Sequence, residues 1–293
     1  MLTIRELSKT YANGVKALNN IYLEVPAGMF GLLGPNGAGK SSLMRTLATL
    51  QEPDAGSVTL DEIDVIHDKE AVRKVLGYLP QQFGSYPRLA PLEMLDHFAV
   101  LKGIVDKGER RDHVEALLHQ TNLWDVRNKA IDTFSGGMKQ RFGIAQALIG
   151  NPRLIIVDEP TAGLDPSERN RFHNLLAEIG ENVVVILSTH IVDDVADLCR
   201  NMAIMGGGEI LLTGRPREVI DRIRGSVWRK RIKRDALPEY QSEFRVILSH
   251  LTEGETEIHV LCDSRPEGFD EADADLEDVY FATLLNNGIS IAL

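Results

Sequence analysis

A glycine-rich segment that ends in lysine and serine is the part of this sequence best suited to chemistry. Residues 34–41 match the phosphate-binding pattern GxxxxGK[ST], between an apolar run at 28–33 that predicts a buried strand and a helical pattern from Ser42. Loop N–H groups and the positive end of that helix attract phosphate, Lys40 adds charge, and the Ser41 hydroxyl suits Mg²⁺. We therefore expect a nucleoside triphosphate at Gly34, Pro35, Asn36, Gly37, Ala38, Gly39, Lys40, Ser41 and Ser42.

Two adjacent carboxylates follow a second apolar run. Residues 154–157 are Leu-Ile-Ile-Val between two prolines, which predicts a fully buried strand of a parallel sheet, and Asp158 and Glu159 come next. In α/β sheets, ligands bind outside the carboxyl ends of the strands. Asp158 is therefore expected to hold Mg²⁺, and Glu159 to polarise the attacking water. Without the phosphate loop, the same pair would be typical of a helix or turn cap.

Residues 134–141, with the sequence FSGGMKQR, lie between these two motifs. With them the chain resembles the ATP-binding cassette (ABC) family, whose signature is usually written LSGGQ; Phe and Met stand here for the usual Leu and Gln. The resemblance covers about the first 215 residues, with the motifs in the family's order. A serine cap and a helix N-terminus attract an anion. The resemblance thus implies that Ser135, Gly136 and Gly137 also bind ATP.

Two phosphate sites in one chain imply a dimer. In the ABC family, the signature of one subunit closes over the ATP held by the phosphate loop of the other, so that a two-fold dimer buries two nucleotides. Because this sequence holds one cassette, the second must come from another copy or from a paralogue. We expect a homodimer.

The resemblance assigns four further residues. Tyr11 matches the aromatic that stacks on adenine, although a tyrosine at a strand end also has a purely structural interpretation. Gln81 matches the glutamine that approaches Mg²⁺, and the adjacent Gln82 leaves that assignment open by one position. Asp165 matches the loop beside the partner's site, and His190 the switch histidine that contacts the γ-phosphate. The predicted catalytic residues are Glu159, His190, Gln81 and Lys40, and the predicted metal ligands are Ser41, Gln81 and Asp158.

Length and composition suit a chain of two parts, a cassette over residues 1–215 and a smaller accessory domain over 216–293. No run of 18 apolar residues predicts a membrane span, and the first residues lack a signal-peptide pattern. Two cysteines predict no disulfide framework, as in a reducing cytoplasm. The net charge of −11 argues against non-specific nucleic-acid binding, so no nucleic-acid partner is expected.

Residues 84–150 are mostly helical by pattern, with helices expected from Pro91 and over 109–119. In transporters of the ABC family this helical subdomain docks the membrane subunit. The docking groove would lie near Phe83, Tyr86 and Leu89, although aromatic residues there are also typical of interior packing.

The accessory domain contains a basic run at 227–234 and an acidic segment at 267–278. Its patterns predict strands at 244–248 and 256–261 and a helix at 276–285, as in a small α+β domain. Its charges are either solvated or paired internally, or the domain is a regulatory or dimer-stabilising module. In that second case the basic run meets the acidic segment or anionic lipid headgroups.

The ensemble looks most like the ATPase subunit of a bacterial ABC-2 or multidrug exporter, because residues 275–280 resemble the Leu-Glu-Asp-Val-Phe of those proteins. The resemblance implies an α/β P-loop fold with a mostly parallel core sheet, an antiparallel N-terminal portion and a helical subdomain. It also implies ATP and Mg²⁺, an integral membrane partner, and a peripheral place on the cytoplasmic face of the cell membrane.

A soluble ABC ATPase of DNA repair, chromosome maintenance or translation is the alternative. Such proteins usually carry coiled coils, zinc modules or tandem cassettes, and the 118 residues from Lys40 to Asp158 predict none of these. A nucleotide-sensing module without turnover is disfavoured because Glu159 and His190 are both present.

Overall fold

The computed structural model describes residues 1–81, 88–160, 165–180, 183–252 and 254–289. Within them the strands are β1 (Leu2–Thr10), β2 (Lys16–Val25), β3 (Gly28–Leu33), β4 (Ala55–Leu60), β5 (Ile63–Asp64), β6 (Leu76–Leu79), β7 (Leu154–Asp158), β8 (Val184–Thr189), β9 (Asn201–Gly206), β10 (Glu209–Gly214), β11 (Val227–Ile232), β12 (Val246–Thr252), β13 (Glu255–Leu261) and β14 (Asp270–Glu271). The helices are α1 (Lys40–Leu47), α2 (Lys69–Val75), α3 (Pro91–Leu101), α4 (Lys107–Gln120), α5 (Gly136–Leu148), α6 (Pro166–Ile179), α7 (Val192–Leu198), α8 (Pro216–Asp221), α9 (Leu237–Glu243) and α10 (Leu276–Asn286).

A six-stranded sheet carries the predicted motifs. Its strand order is β10-β9-β3-β8-β7-β6, and its strands are parallel except for β10 at the edge. Successive side chains of β7 enter opposite cores, since Ile155 and Val157 belong to one cluster and Leu154 and Ile156 to the other. Such double burial explains the continuous apolar run in the sequence. The predicted P-loop fold with its mostly parallel core sheet is confirmed.

Different layers cover the two faces of this sheet. One face packs on α1 and on an antiparallel sheet of order β2-β1-β4-β5, as predicted for the N-terminal portion. The other face packs on helices α3 to α7, of which α3, α4 and α5 lie in the segment predicted to be the helical subdomain. None of the helices in the described ranges is long and apolar enough to cross a bilayer.

The basic run of the accessory domain is a strand, which its charge pattern did not predict. It forms β11 in an antiparallel sheet of order β12-β13-β11-β14. Acidic residues lie beside it: Arg229 is opposite Asp270, and Arg231 Nε is 3.3 Å from Glu257 Oε2. The Lys230 ammonium lies about 5 Å from two aromatic ring centres. Internal pairing therefore accounts for part of the basic charge.

Helix α10 packs on the cassette as well as on the accessory sheet. Its apolar residues Leu276, Val279 and Tyr280 share a buried cluster with Val195 and Cys199 near α7. A separate cluster joins the opposite side of α10 to the accessory sheet. The domain boundary after residue 215 remains a prediction, but the two parts share a core through this helix.

A buried ion pair holds the first turn of α10 to β13. His259 Nδ1 lies 2.7 Å from Asp278 Oδ1, and Asp278 is fully buried. Burial opposes protonation of His259, but the Asp278 hydrogen bond and the charges of Asp278, Glu257 and Asp275 outweigh it, so the pKa of His259 is raised. The folded state therefore binds this proton more tightly than the unfolded state does.

Replacing His259 by asparagine should remove a pH-dependent part of the stability, because asparagine keeps a donor but cannot be charged. The charge stabilises fully below the unfolded histidine pKa of ~6.5, and its contribution is lost as the pH rises through the higher folded value. The melting-temperature gap between wild type and His259→Asn should therefore be larger at pH 6 than at pH 8. A gap that stays constant across this range would contradict the prediction.

Candidate nucleotide-binding site

The phosphate loop leaves the centre of the sheet at the carboxyl end of β3 and enters α1. Close backbone approach explains two of its glycines: a Cβ on Gly34 would lie 2.4 Å from the Met205 carbonyl oxygen, and one on Gly39 2.3 Å from that of Ala17. Gly39 also has φ +107°, which side chains disfavour. Because no side chain caps the first turn of α1, its N–H groups remain suited to an anion.

Lys40 lies folded against this loop. Its ammonium donates hydrogen bonds to the carbonyl oxygens of Gly34 and, at 3.2 Å, Pro35, and it lies 3.9 Å from Glu159 Oε1. Burial lowers the pKa of Lys40, and the nearby Glu159 and Asp158 oppose that shift. The lysine thus presents a partly desolvated positive charge at the loop, where electrostatic interactions are strong.

Glu159 and His190 meet at neighbouring strand ends. Glu159 follows β7 and His190 follows β8, and His190 Nδ1 lies 2.6 Å from Glu159 Oε2. Glu159 adopts φ 51°, a backbone conformation that residues other than glycine rarely take. Its N–H donates a hydrogen bond to the Ser188 carbonyl oxygen at 2.8 Å. Backbone strain of this kind clusters at functional sites. The two residues form one hydrogen-bonded unit beside Lys40.

Asp158 ends β7 and is 5% exposed. Its Oδ1 is buried and makes no well-aligned hydrogen bond among the described residues, although the Ser188 hydroxyl lies close to the carboxyl group. Burial is the main reason why the pKa of Asp158 is raised; the Ser188 hydroxyl opposes the shift, Glu159 adds to it, and Lys40 and Arg45 oppose it. A buried carboxylate oxygen without a hydrogen bond, together with the Ser41 hydroxyl and the Gln81 amide, which line the cavity beside the phosphate loop, fits the hard oxygen donors that Mg²⁺ prefers.

A cavity of about 250 Å³ unites most of the predicted site. Two apolar residues that were not predicted, Val15 and Ala17, line it beside Tyr11. Their closeness to Tyr11 in the sequence was the only signal that could have indicated them. The Tyr11 hydroxyl is hydrogen-bonded to Ser42 Oγ at 2.9 Å and to Gln51 Oε1 at 2.8 Å, which fixes the ring. The predicted residues at the cavity wall are Tyr11, Pro35, Asn36, Gly37, Ala38, Gly39, Lys40, Ser41, Ser42, Gln81 and Glu159.

The signature lies apart from this cavity, and none of its residues is among the described ones that line it. Ser135 is the N-cap of α5, and its Oγ accepts a hydrogen bond from Met138 N at 3.3 Å. Ser135 and Gly136 are exposed, with open space around Gly136. The first turn of α5 therefore lies at the surface, and the positive end of a helix favours an anion.

Asp165 likewise lies away from the cavity wall. It caps α6, accepting from Glu168 N at 2.9 Å and Ser167 Oγ at 2.8 Å, and these bonds lower the pKa of its carboxyl. Leu89, from the predicted docking groove, is 40% exposed. The predictions that named Gln82, Phe83 and Tyr86 fall outside the described residues.

Known proteins resemble this chain in amino-acid sequence. The chain matches the sequence profile described as "ABC transporter" over residues 18–162. It is 40% identical over 197 residues to the probable multidrug ABC transporter ATP-binding protein YbhF of Escherichia coli (strain K12), covering 67% of this chain and 34% of that protein. It is 33% identical over 220 residues to the ABC transporter ATP-binding protein NatA of Bacillus subtilis (strain 168), covering 73% of this chain and 89% of that protein.

A solved structure gives the same result. A dimeric ATP-binding cassette in a post-hydrolysis state bound to ADP and Pi superposes with a TM-score of 0.67 and 28% identity, over 73% of this chain and 98% of that chain. The match to YbhF spans about a third of that relative's length, whereas the match to NatA spans most of its length. The family resemblance carried by the motifs is confirmed: the chain belongs to the ABC transporter family, and its cassette is an ABC-type ATPase domain.

Proposed function

We propose that this chain binds and hydrolyses ATP to power transport through a separate membrane-spanning subunit. The observation that carries the proposal is the cavity at the carboxyl edge of the sheet, where Lys40, Gln81 and Glu159 converge on the phosphate loop. Phosphoryl transfer needs mainly positioning and neutralisation of charge, and these side chains supply both.

Each residue of the predicted site has a distinct role in the proposal. Lys40 neutralises phosphate charge, and Glu159 orients and polarises the attacking water. His190 holds the Glu159 carboxylate in place and contacts the γ-phosphate. Ser41, Gln81 and Asp158 would hold Mg²⁺, which when bound supplies positive charge to the phosphate oxygens.

The outward position of the signature supports a dimer as the active form. Ser135 and Gly136 are exposed, yet an anion site of this kind serves hydrolysis only if a nucleotide reaches it. A second cassette would bring its own bound ATP there, and Asp165 would cross the same interface. The proposal is a two-fold homodimer that encloses two nucleotides, each contacted by both chains.

Export is the proposed direction of transport, with the chain held peripherally at the cytoplasmic face of the membrane. Two relatives, one named a probable multidrug transporter ATP-binding protein, support a transport role. The membrane subunit would dock on the helical subdomain and choose the cargo.

Replacing Tyr11 by alanine should weaken ATP binding by about 5- to 150-fold, because base stacking is worth ~1–3 kcal/mol. Tyr11→Phe is the matched control, since it keeps the ring but loses the hydroxyl contacts with Ser42 and Gln51. Titration of a fluorescent ATP analogue measures both variants. Equal weakening by the two substitutions would mean that the hydroxyl, and not the ring, is what the site requires.

Replacing Glu159 by glutamine should leave ATP binding intact and slow hydrolysis by at least ~10²-fold, within the range for the loss of one general base. Because the nucleotide then persists, the variant should form an ATP-dependent dimer that size-exclusion chromatography with light scattering detects. Near-normal turnover would exclude this role for Glu159. A variant that binds ATP without turnover and stays monomeric would exclude the ATP-held dimer.

Purification of the tagged chain from detergent-solubilised membranes should recover a stoichiometric polytopic membrane protein, identified by mass spectrometry. Its addition should change the ATPase rate of the chain if the two work together. Recovery of the chain alone, or with ribosomes or nucleic acid, would contradict the transport role and favour a soluble ABC ATPase.

A further inference from the structure

Helix α7 begins two residues after His190 and carries a carboxylate that the proposed chemistry does not use. Asp194 is 0% exposed. Its Oδ1 accepts a hydrogen bond from Arg169 Nε at 2.8 Å and lies 2.6 Å from Arg169 Nη2 and 3.0 Å from His173 Nε2. Arg169 and His173 are one turn apart on the same face of α6, so one buried carboxylate contacts α6 at two points.

Helix α6 follows Asp165 and lies beside the signature. Its N-cap is Asp165, and Glu168 in its first turn packs against the signature. A Cβ on Gly137 would lie 2.2 Å from Glu168 Oε2, which shows how closely the two chain segments approach. The position of α6 is therefore tied to the position of the signature backbone.

Helix α7, in contrast, follows His190 and packs on the central sheet. A Cβ on Gly31 of β3 would lie 2.5 Å from Val195 Cγ1, so α7 packs directly on the strand that leads into the phosphate loop. His190, two residues before α7, contacts Glu159. Because a closely packed interior transmits displacements, a shift of α7 also displaces the residues packed against it.

We propose that Asp194 is a positioning residue that couples the two half-sites of one chain. It ties α7, which follows His190, to α6, which follows Asp165 and lies beside the signature. His190 serves the chain's own nucleotide, whereas Asp165 and the signature serve the partner's nucleotide. This inference rests on the proposed function. Buried ion pairs are frequently replaceable by apolar groups without loss of stability, so stability alone gives little reason for this one.

The test compares the steady-state ATPase kinetics of the full-length wild type and Asp194→Asn with Mg²⁺ present. The variant should lose roughly tenfold in kcat, a typical size for coupling between sites, while its KM for ATP stays within about twofold. Any cooperativity in ATP concentration should fall toward a Hill coefficient of one. Asp197→Asn, on an exposed residue of the same helix, is the matched control and should behave as wild type.

Arg169→Gln removes the same contact from its more exposed side, where the arginine side chain is 30% exposed, and it decides the question if Asp194→Asn does not fold. Since both substitutions break the Arg169–Asp194 interaction, the double variant should be no slower than the worse single variant. Asp194→Glu, which keeps the charge, should recover part of the rate.

A folded Asp194→Asn or Arg169→Gln variant with wild-type kcat would overturn the coupling. So would additive losses in the double variant, or a loss that lies in KM for ATP alone. A wild-type chain that binds ATP without hydrolysing it would instead overturn the proposed function itself, and the coupling with it.

Discussion

Burial of one ammonium group sets the requirements for the nucleotide site. Lys40 is 6% exposed, and taking its charge out of water costs free energy unless carbonyl dipoles or opposite charge surround it. The carbonyl oxygens of Gly34 and Pro35 and the carboxylate of Glu159 provide those partners. The carbonyl groups reach the lysine only because the loop folds back over it, and that path brings its backbone too close to neighbouring strands for any residue but glycine at its tightest points.

The strand order supplies the opposite charge. Strand β8 lies between β3 and β7, so that the phosphate loop, His190 and Glu159 leave three adjacent strand ends at one edge. A carboxylate that leaves β7 must turn sharply to face the loop, and the left-handed backbone at Glu159 makes that turn. Such a conformation costs about 1–3 kcal/mol, and the Glu159 N–H bond to Ser188 and the contact with His190 help to hold it.

Local features of the site were predictable from the sequence, and long-range contacts were not. The predicted strand at 28–33 coincides with β3, and the predicted helix after Ser135 is α5, because an apolar run or an N-cap acts within a few residues. No local pattern indicates that Arg169 meets Asp194, or that Gln51 orients Tyr11, because those pairs depend on how whole elements pack. Strand β11 was missed since its charged side chains are paired across the sheet rather than patterned along the chain.

The apolar character of α10 has the same long-range origin. A helix on the surface has one apolar stripe, whereas α10 is buried on two sides, as Val279 and Leu284 enter the cassette core and Ala282 enters the accessory core. It contacts α7, the helix that Asp194 ties to α6 and that packs on β3. Helix α7 is thus held from three directions, by the sheet, by α6 and by the accessory domain. The packing of α10 on α7 therefore connects the accessory domain to the helix that follows His190, although none of the described residues of that domain lines the cavity.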